Sequence, residues 1–235
     1  MSFKAEIKRR VRARLNRPGQ GYIGRLLLQL VRELLTLARQ QHGVLKSRAL
    51  RKRVGLRLNL GCGTNLKPGW INVDMGANCD LFLDLRRRIP LASGSCREIY
   101  SEHFFEHLDY PGTAALHVAE CHRLLEPGGV LSIGVPHGLK YVREYLRELE
   151  AGNADIEPPE VYPPWARTPM ERLNFIFHQN YAEHQSQHRF CYDYMTLAKL
   201  LRAAGFGEIH ERPFDPALDS EFRRWGSLYL SAVRP

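Results

Sequence analysis

The chain has 235 residues and is 44% hydrophobic, which is enough to bury one core, so one domain with an extension is the expectation. Its five cysteines form no CxxC pair, which argues against a disulfide framework or a cysteine zinc site and favours reduced thiols in the cytoplasm. We expect no signal peptide, because residues 1–17 are too charged, and no membrane span, because no apolar run reaches about 18 residues.

Positive charge is concentrated in the N-terminal part of the chain. Residues 1–57 hold 16 of the 34 Lys and Arg but two of the 25 acids, Glu6 and Glu33, so the overall charge of +9 arises there. Such an asymmetry suggests an anionic partner, with membrane headgroups, nucleic acid and an acidic glycan as the candidates.

Residues 1–55 are predicted to form a basic helical extension. Residues 1–17 indicate a frayed helix or a disordered tail, and the PGQG at 18–21 ends it. Apolar side chains then recur at helical spacing and predict an amphipathic helix of about 20 residues that ends near Gly43; they are Ile23, Leu27, Leu30, Leu34 and Leu37. We expect this helix to pack on the domain or on a second copy of itself. A membrane interface is the alternative, because the polar side is cationic, and nucleic acid is disfavoured because aromatic rings are nearly absent.

The first elements of the domain at 56–235 indicate a nucleoside-containing cofactor. Apolar and polar residues alternate in LRLNL at 56–60, which predicts a strand. The strand leads into Gly61-Cys62-Gly63, where glycine permits a tight turn and a close approach of a ligand. A second strand at 71–73 ends at Asp74, where an acid in doubly wound folds accepts hydrogen bonds from a ribose.

Further strands are predicted at 80–85, 98–101 and 130–135, with a helix at 111–125 before the last of them. Strands that alternate with helical segments predict an open parallel sheet, whose ligands bind at the carboxyl ends of the strands. Those ends should therefore meet in one crevice, and they carry Gly61, Gly63, Asp74, Asp84, Glu102, His103, Pro136 and His137.

Four segments together resemble class I S-adenosylmethionine-dependent methyltransferases: LNLGCG (58–63), GWINVD (69–74), EHFFEHL (102–108) and ECHRLLEPGGVLSIGVP (120–136). The resemblance covers residues 57–234 and is strongest to a small bacterial branch often found near polysaccharide-synthesis functions. It implies an α/β, Rossmann-like, doubly wound and mostly parallel sheet whose final strand is antiparallel, and it implies S-adenosyl-L-methionine as the cofactor.

The resemblance also implies roles for individual residues. Gly61 and Gly63 would line the methionine part of the cofactor, Asp74 would hold the ribose, Asp84-Leu85 would border the adenine, and Glu102-His103 would lie next to the sulfonium. The complete set of expected cofactor contacts is Asn59, Leu60, Gly61, Cys62, Gly63, Asp74, Met75, Asp84, Leu85, Glu102 and His103.

The sequence departs from the family pattern after the glycine turn. Asn65 replaces the usual third glycine, and residues 64–70 contain Pro68-Gly69, which leaves no room for a long first crossover helix. The carboxylate of the cofactor would then meet a short turn instead of the full dipole of a helix.

Residues 138–190 are predicted to interrupt the sheet between its fifth and sixth strands and to form a cap over the crevice. Helices are expected at 139–149 and at 168–179, where Thr168 is the cap, and a further helix follows the cap Asp193. In the resembling family a histidine precedes this last helix and faces the active site, and this role falls on His188.

The expected reaction is transfer of a methyl group to a hydroxyl, or an amine, of a small-molecule or glycan-type acceptor. Displacement at the methyl carbon mainly requires that the acceptor and the cofactor are aligned. A hydroxyl acceptor also benefits from a base with a near-neutral pKa. The candidate bases are, in falling order, His188, His137, His103 and His107.

Three alternatives remain open. A nicotinamide-dependent oxidoreductase is disfavoured because the turn is not GxGxxG. A non-catalytic S-adenosylmethionine-binding module would work through its basic arm. A metal site of His178, His184 and His188 is disfavoured because no carboxylate partner follows from the spacing, so no metal is expected. We expect a cytoplasmic protein, with peripheral membrane binding left open.

Overall fold

The computed structural model describes residues 21–76, 78–157, 159, 162–178 and 187–235. The predicted tail at 1–17 and the candidate ligand His184 lie outside the described residues. Seven strands form one sheet: β1 Leu56–Leu60, β2 Ile71–Asp74, β3 Leu81–Phe82, β4 Cys96–Glu102, β5 Leu125–Pro136, β6 Gly207–Glu211 and β7 Ser227–Val233. Five α-helices accompany them in the described part: α1 Gly21–Ser47, α2 Gly112–Leu124, α3 Gly138–Glu150, α4 Pro169–His178 and α5 Tyr194–Ala203.

The strand order is β3-β2-β1-β4-β5-β7-β6. Strands β1 to β5 pair in parallel, whereas β7 is antiparallel to both β5 and β6. This confirms the predicted α/β fold of methyltransferase type with an antiparallel final strand. The order reverses between β1 and β4, and in open sheets such a reversal opens a crevice at the carboxyl ends of the strands. Leu58, Ile99 and Ile133 of the three central strands are almost completely buried.

A network of side-chain amides replaces a helix between β1 and β2. Residues 61–70 contain no helix, as the proline and glycine in this segment predict. The Asn59 amide donates to the Asn65 carbonyl at 2.8 Å and to Asn72 Oδ1 at 2.9 Å. Asn72 in turn accepts from the Lys67 amide at 2.8 Å and donates to Asp80 at 2.9 Å. These bonds fix the loop that follows the glycine turn.

The two predicted caps are present in the structure. Thr168 Oγ1 accepts from the Glu171 amide at 3.2 Å, and the Glu171 carboxylate accepts from the Thr168 amide at 2.9 Å, which is a capping box at the start of α4. Asp193 accepts from the Thr196 amide at 2.8 Å at the start of α5. Helices α3 and α4 pack together between β5 and β6 in the chain, and their role as a cap over the crevice stays a prediction.

Helix α1 is longer than predicted, because Gly43 lies inside it and does not end it. A Cβ at Gly43 would lie 2.2 Å from the carbonyl oxygen of Phe82, so glycine lets the helix approach the edge strand β3. Arg39 lies over the Phe82 ring at 4.1 Å, and Lys46 donates to the Asp80 carbonyl at 2.7 Å. The C-terminal half of the helix therefore covers an edge that would otherwise expose unpaired backbone groups.

The large apolar side chains of α1 between positions 26 and 37 are exposed, whereas its C-terminal part contacts β3, and the expected pairing of this apolar side with a second copy stays a prediction. The exposed ones are Leu26, Leu27, Leu28, Leu30, Val31, Leu34, Leu35 and Leu37. Among the described residues, no helix is both long enough and apolar enough to cross a membrane.

Candidate cofactor and acceptor site

The glycine turn after β1 combines one tightly packed glycine with one that faces open space. Gly61 has φ +69°, and a Cβ there would lie 2.5 Å from Cγ of Phe104, so only glycine fits. Gly63 has φ +52°, and its missing Cβ would meet no atom within 4 Å. The turn therefore packs against Phe104 at Gly61 and has open space beside Gly63.

The carboxylate of Asp74 lies beside Gly63 and is fixed by two hydrogen bonds. Its Oδ2 accepts from the Gly63 amide at 2.9 Å, and its Oδ1 accepts from the Gly76 amide at 2.7 Å. A carboxylate oxygen can accept two hydrogen bonds, and each of these accepts one, so each can still accept a bond from a hydroxyl of a ligand. A pair of neighbouring hydroxyls, as on a ribose, fits this arrangement.

The other predicted contacts near the turn offer mainly backbone groups. The side chains of Asn59, Leu60 and Cys62 are buried, and the Asn59 amide is used by the loop network. Burial, followed by the nearby charge of Asp74, raises the pKa of Cys62 to about 12, so this thiol is unreactive at neutral pH. Met75 is half-exposed beside Asp74.

Asp84 and Leu85 lie next to α1. The Asp84 carboxylate accepts from Arg86 Nε at 2.8 Å and from Arg86 Nη2 at 2.9 Å, and the Asp84 amide donates to Gln40 of α1 at 2.7 Å. Burial alone would raise the pKa of Asp84, but the hydrogen bonds from Arg86 outweigh it and the pKa is lowered. Leu85 is buried, and its carbonyl accepts from His117 Nδ1 at 2.9 Å.

The structure places the Glu102 carboxylate against the loop between β6 and β7. Its Oε1 accepts from the Ser220 amide at 3.0 Å, and its Oε2 accepts from Ser220 Oγ at 2.5 Å. Arg223 also reaches Oε2 at 3.3 Å. Glu102 thus holds this loop at the end of β4, which leaves it little capacity for the ligand contact that the resemblance implies.

His103 has a strained backbone at the end of β4. Its φ is +53°, although it is not glycine, and its amide donates to the Gly134 carbonyl of β5 at 2.8 Å. Nε2 lies 2.7 Å from Ser227 Oγ, and Nδ1 lies 3.4 Å from Glu106 Oε1. Burial, reinforced by the charge of Arg223, lowers the pKa of His103 well below its usual value, so the ring is neutral at pH 7.

Glu106 is the site residue that the sequence analysis missed. Its side chain is buried, and neither carboxylate oxygen has a hydrogen-bond partner among the described residues. Burial raises its pKa to about 8. The spacing in EHFFEHL places it three residues after His103 and one before His107, but spacing alone does not show that its carboxylate is buried.

The fold brings His107 and His188 to Glu106. His188 Nδ1 donates to the Ile176 carbonyl at 2.5 Å, His107 Nδ1 donates to the Gln187 carbonyl at 3.1 Å, and the two rings lie 4.9 Å apart. His188 Nε2 lies 3.9 Å from Glu106 Oε1. Burial lowers the pKa of His188 to about 4 and also lowers that of His107. Both rings are therefore neutral at pH 7.

The two remaining described histidine candidates make none of these contacts. His137 directly follows β5, where its amide donates to the Gly226 carbonyl at 2.9 Å, and its buried Nδ1 has no partner within the described ranges. His178 is the last residue of α4. Of the four candidate bases, the structure thus gathers His103, His107 and His188 around Glu106 and leaves His137 at the next strand.

The sequence matches no family model and no curated relative. Among solved structures it is similar to an S-adenosylmethionine-dependent methyltransferase from Mesorhizobium loti, at 18% identity over 80% of this chain and 95% of that one, with a TM-score of 0.45. A methyltransferase from Thermotoga maritima shares 17% identity over 90% and 97% of the two chains, with a TM-score of 0.44. Phosphoethanolamine N-methyltransferase 2 from Haemonchus contortus, in complex with S-adenosylmethionine, shares 12% identity over 80% and 51%, with a TM-score of 0.42. A likeness this distant assigns no function, which has to come from the residues of the site.

Proposed function

We propose that the chain is an S-adenosylmethionine-dependent methyltransferase that acts on a hydroxyl, or an amine, of a small-molecule or glycan-type acceptor. The observation that supports this most is the Asp74 carboxylate, which is fixed across the open side of Gly63. Strand β1 pairs with both β2 and β4, so the glycine turn lies between Asp74 and His103. A nucleoside held by Asp74 would therefore extend toward the histidine cluster.

The protein's contribution is to hold the cofactor and to present the acceptor. Asp74 binds the ribose hydroxyls, the backbone at 61–63 borders the methionine part, and Asp84-Leu85 border the adenine. When bound, S-adenosylmethionine supplies a methyl group activated by its bond to the sulfonium sulfur. The sulfur leaves as a neutral thioether, so no acid is required. Alignment in a site shielded from water then provides most of the rate.

His188 is the base that this geometry favours. Because its Nδ1–H is donated to Ile176, the lone pair is on Nε2, which faces Glu106 inside the cluster. An acceptor hydroxyl in the cluster would give its proton to that nitrogen as the oxygen bonds to the methyl carbon. His103 is the second candidate, since it lies between Glu106 and Ser227.

Two binding measurements separate this proposal from the nicotinamide alternative. Calorimetry with S-adenosylhomocysteine should show binding, while the fluorescence of NADH should not change. Acceptors are then screened by release of S-adenosylhomocysteine, with hydroxylated sugars and amines as the first panel. Binding of NADH without binding of S-adenosylhomocysteine would refute the proposal. Cofactor binding with no turnover on any acceptor would favour the non-catalytic module.

The exposed apolar face of α1 favours a second role, peripheral binding to an anionic membrane. Eight large apolar side chains between positions 26 and 37 are exposed, and four cationic residues follow the helix, all exposed: Arg48, Arg51, Lys52 and Arg53. An apolar face next to positive charge is typical of helices that lie in the interface of anionic lipids. Such an anchor would suit a lipid-linked glycan acceptor.

Sedimentation with vesicles tests this role. The chain should sediment with phosphatidylglycerol vesicles and less with phosphatidylcholine vesicles, and Leu30→Glu/Leu34→Glu should abolish the binding. Light scattering without lipid distinguishes the alternative, because a stable dimer that the same double substitution dissociates would show that α1 pairs with a second copy.

A further inference from the structure

Three side chains that meet at the end of β4 have the arrangement of a metal-binding set. One ligand atom each from Glu106, His107 and His188 lies within 4.8 Å of the other two. This is not the three-histidine set considered from the sequence, since His188 is the one shared residue. What distinguishes it is the carboxylate, which no spacing in the sequence pointed to.

Among the described residues, the Glu106 carboxylate lies beside two imidazole rings, with Oε1 3.4 Å from His103 Nδ1 and 3.9 Å from His188 Nε2. Its side chain is about 1% exposed, and neither oxygen accepts a hydrogen bond there. A buried polar group normally has a partner, and an orphaned one indicates a missing ion, water or ligand. Nearby cations are engaged elsewhere, because Arg223 pairs with Glu102 at 3.3 Å and Arg189 pairs with Asp109 at 2.5 Å.

Both histidines are oriented as metal ligands usually are. Nδ1 of His188 donates to the Ile176 carbonyl and Nδ1 of His107 donates to the Gln187 carbonyl. A ligating histidine generally donates its second ring nitrogen to a carbonyl or carboxylate in this way, which fixes the tautomer and the orientation of the ring. Both Nε2 atoms consequently keep a lone pair, and Nε2 of His188 lies 3.9 Å from Glu106 Oε1.

We propose that Glu106, His107 and His188 bind a divalent transition-metal ion of the zinc type. Two imidazoles and one carboxylate suit Zn²⁺ and its neighbours, whereas Mg²⁺ and Ca²⁺ prefer oxygen ligands alone. Zinc–ligand bonds of about 2.0–2.2 Å place ligand atoms roughly 3.3–3.5 Å apart, so the side chains have to close by about 1 Å. Three protein ligands leave a coordination position open, as in catalytic zinc sites.

The open position gives the ion a role that rests on the proposed function and replaces the base role of His188, whose Nε2 would then be bound to the ion. The ion would take the acceptor hydroxyl, and a bound cation makes loss of the hydroxyl proton much easier. The proton leaves to solvent, the oxygen lone pair forms the bond to the methyl carbon, and the bond from that carbon to sulfur breaks. The products are the methyl ether and neutral S-adenosylhomocysteine, so no further reactant is needed.

Metal binding is tested on untagged protein stripped with a chelator. Calorimetry with Zn²⁺, and metal content after gel filtration, should give one ion per chain, and Co²⁺ should produce visible absorption bands. Glu106→Gln and His188→Asn should each weaken Zn²⁺ binding at least tenfold. The matched control is His210→Ala, because His210 is exposed on β6 and its ring donates to the Glu208 carbonyl of the same strand. Circular dichroism verifies that each variant is folded.

The possible outcomes separate the metal site from the methyltransferase. Wild-type protein that binds no Zn²⁺, or folded Glu106→Gln protein that binds it as tightly as the wild type, overturns the site. Binding of S-adenosylhomocysteine, measured on the same metal-free samples, tests the proposed function independently. If Zn²⁺ binds and the nucleoside does not, the metal site stands and its role in methyl transfer fails.

Discussion

Replacing Asp74 with alanine removes the carboxylate that accepts from the Gly63 and Gly76 amides. It also removes the acceptors that we propose for two ribose hydroxyls. A hydrogen bond to a charged group contributes about 1.5–3 kcal/mol, so two of them at the lower value amount to about 3 kcal/mol. With about 1.4 kcal/mol for each factor of ten, the dissociation constant of S-adenosylhomocysteine should rise about 150-fold. The free energy of unfolding should fall by only about 1 kcal/mol, since water can reach the released amides.

Calorimetry with S-adenosylhomocysteine and urea unfolding measure the two quantities separately. Asp74→Asn keeps one acceptor oxygen without the charge and should lie between the wild type and the alanine variant. Asp155→Ala is the matched control, because Asp155 is an exposed acid on the loop between α3 and α4 that pairs with Arg167. An Asp74→Ala protein that binds within threefold of the wild type would refute the ribose assignment.

Four further substitutions test separate parts of the structure. Gly61→Ala should lower the free energy of unfolding by about 3 kcal/mol, because a positive φ and the Phe104 ring both oppose a Cβ. Gly63→Ala should lower the free energy of unfolding by only about 1 kcal/mol and should mainly weaken cofactor binding. Equal urea midpoints for the two variants would contradict this prediction. Burial lowers the pKa of His117 from 6.5 to about 4, so as the pH falls the unfolded chain binds a proton before the folded protein does. The free energy of unfolding should therefore fall by about 3 kcal/mol in total as the pH drops from 6.5 to about 4. His117→Gln should remove that part of the pH dependence in urea unfolding at pH 7 and pH 5. His188→Ala should lose most turnover but keep S-adenosylhomocysteine binding, and unchanged turnover would remove this residue from the mechanism.

The sheet could be predicted from the sequence because its central strands carry their own signal. Alternating apolar residues at 56–60 and the apolar runs at 98–101 and 130–135 coincide with β1, β4 and β5, which are buried at the centre of the sheet. The caps Thr168 and Asp193 were also predictable, because a side chain that bonds an amide three residues away acts within its own segment.

The C-terminal end of α1 could not be predicted, because a glycine such as Gly43 is compatible with two opposite outcomes in a helical sequence. Glycine commonly ends a helix, but it also lets a helix backbone approach another element closely. The choice depends on the Phe82 carbonyl, 39 residues further along the chain, which a Cβ at position 43 would approach to 2.2 Å. A local pattern holds no information about such a distant contact.

The histidine cluster depends on a contact that is similarly distant in sequence. The Glu106 carbonyl accepts from the amides of Arg189 at 2.6 Å and Phe190 at 3.2 Å, which brings His188 to the end of β4. The backbone of Glu106, and not its carboxylate, therefore positions His188. Glu106→Gln should consequently leave His188 in place and replace only the carboxyl group, which can lose its proton to a metal ion, by an amide that cannot. A loss of Zn²⁺ binding in that variant would then report on the carboxylate itself, whereas a loss caused by a displaced His188 would be accompanied by altered near-UV dichroism.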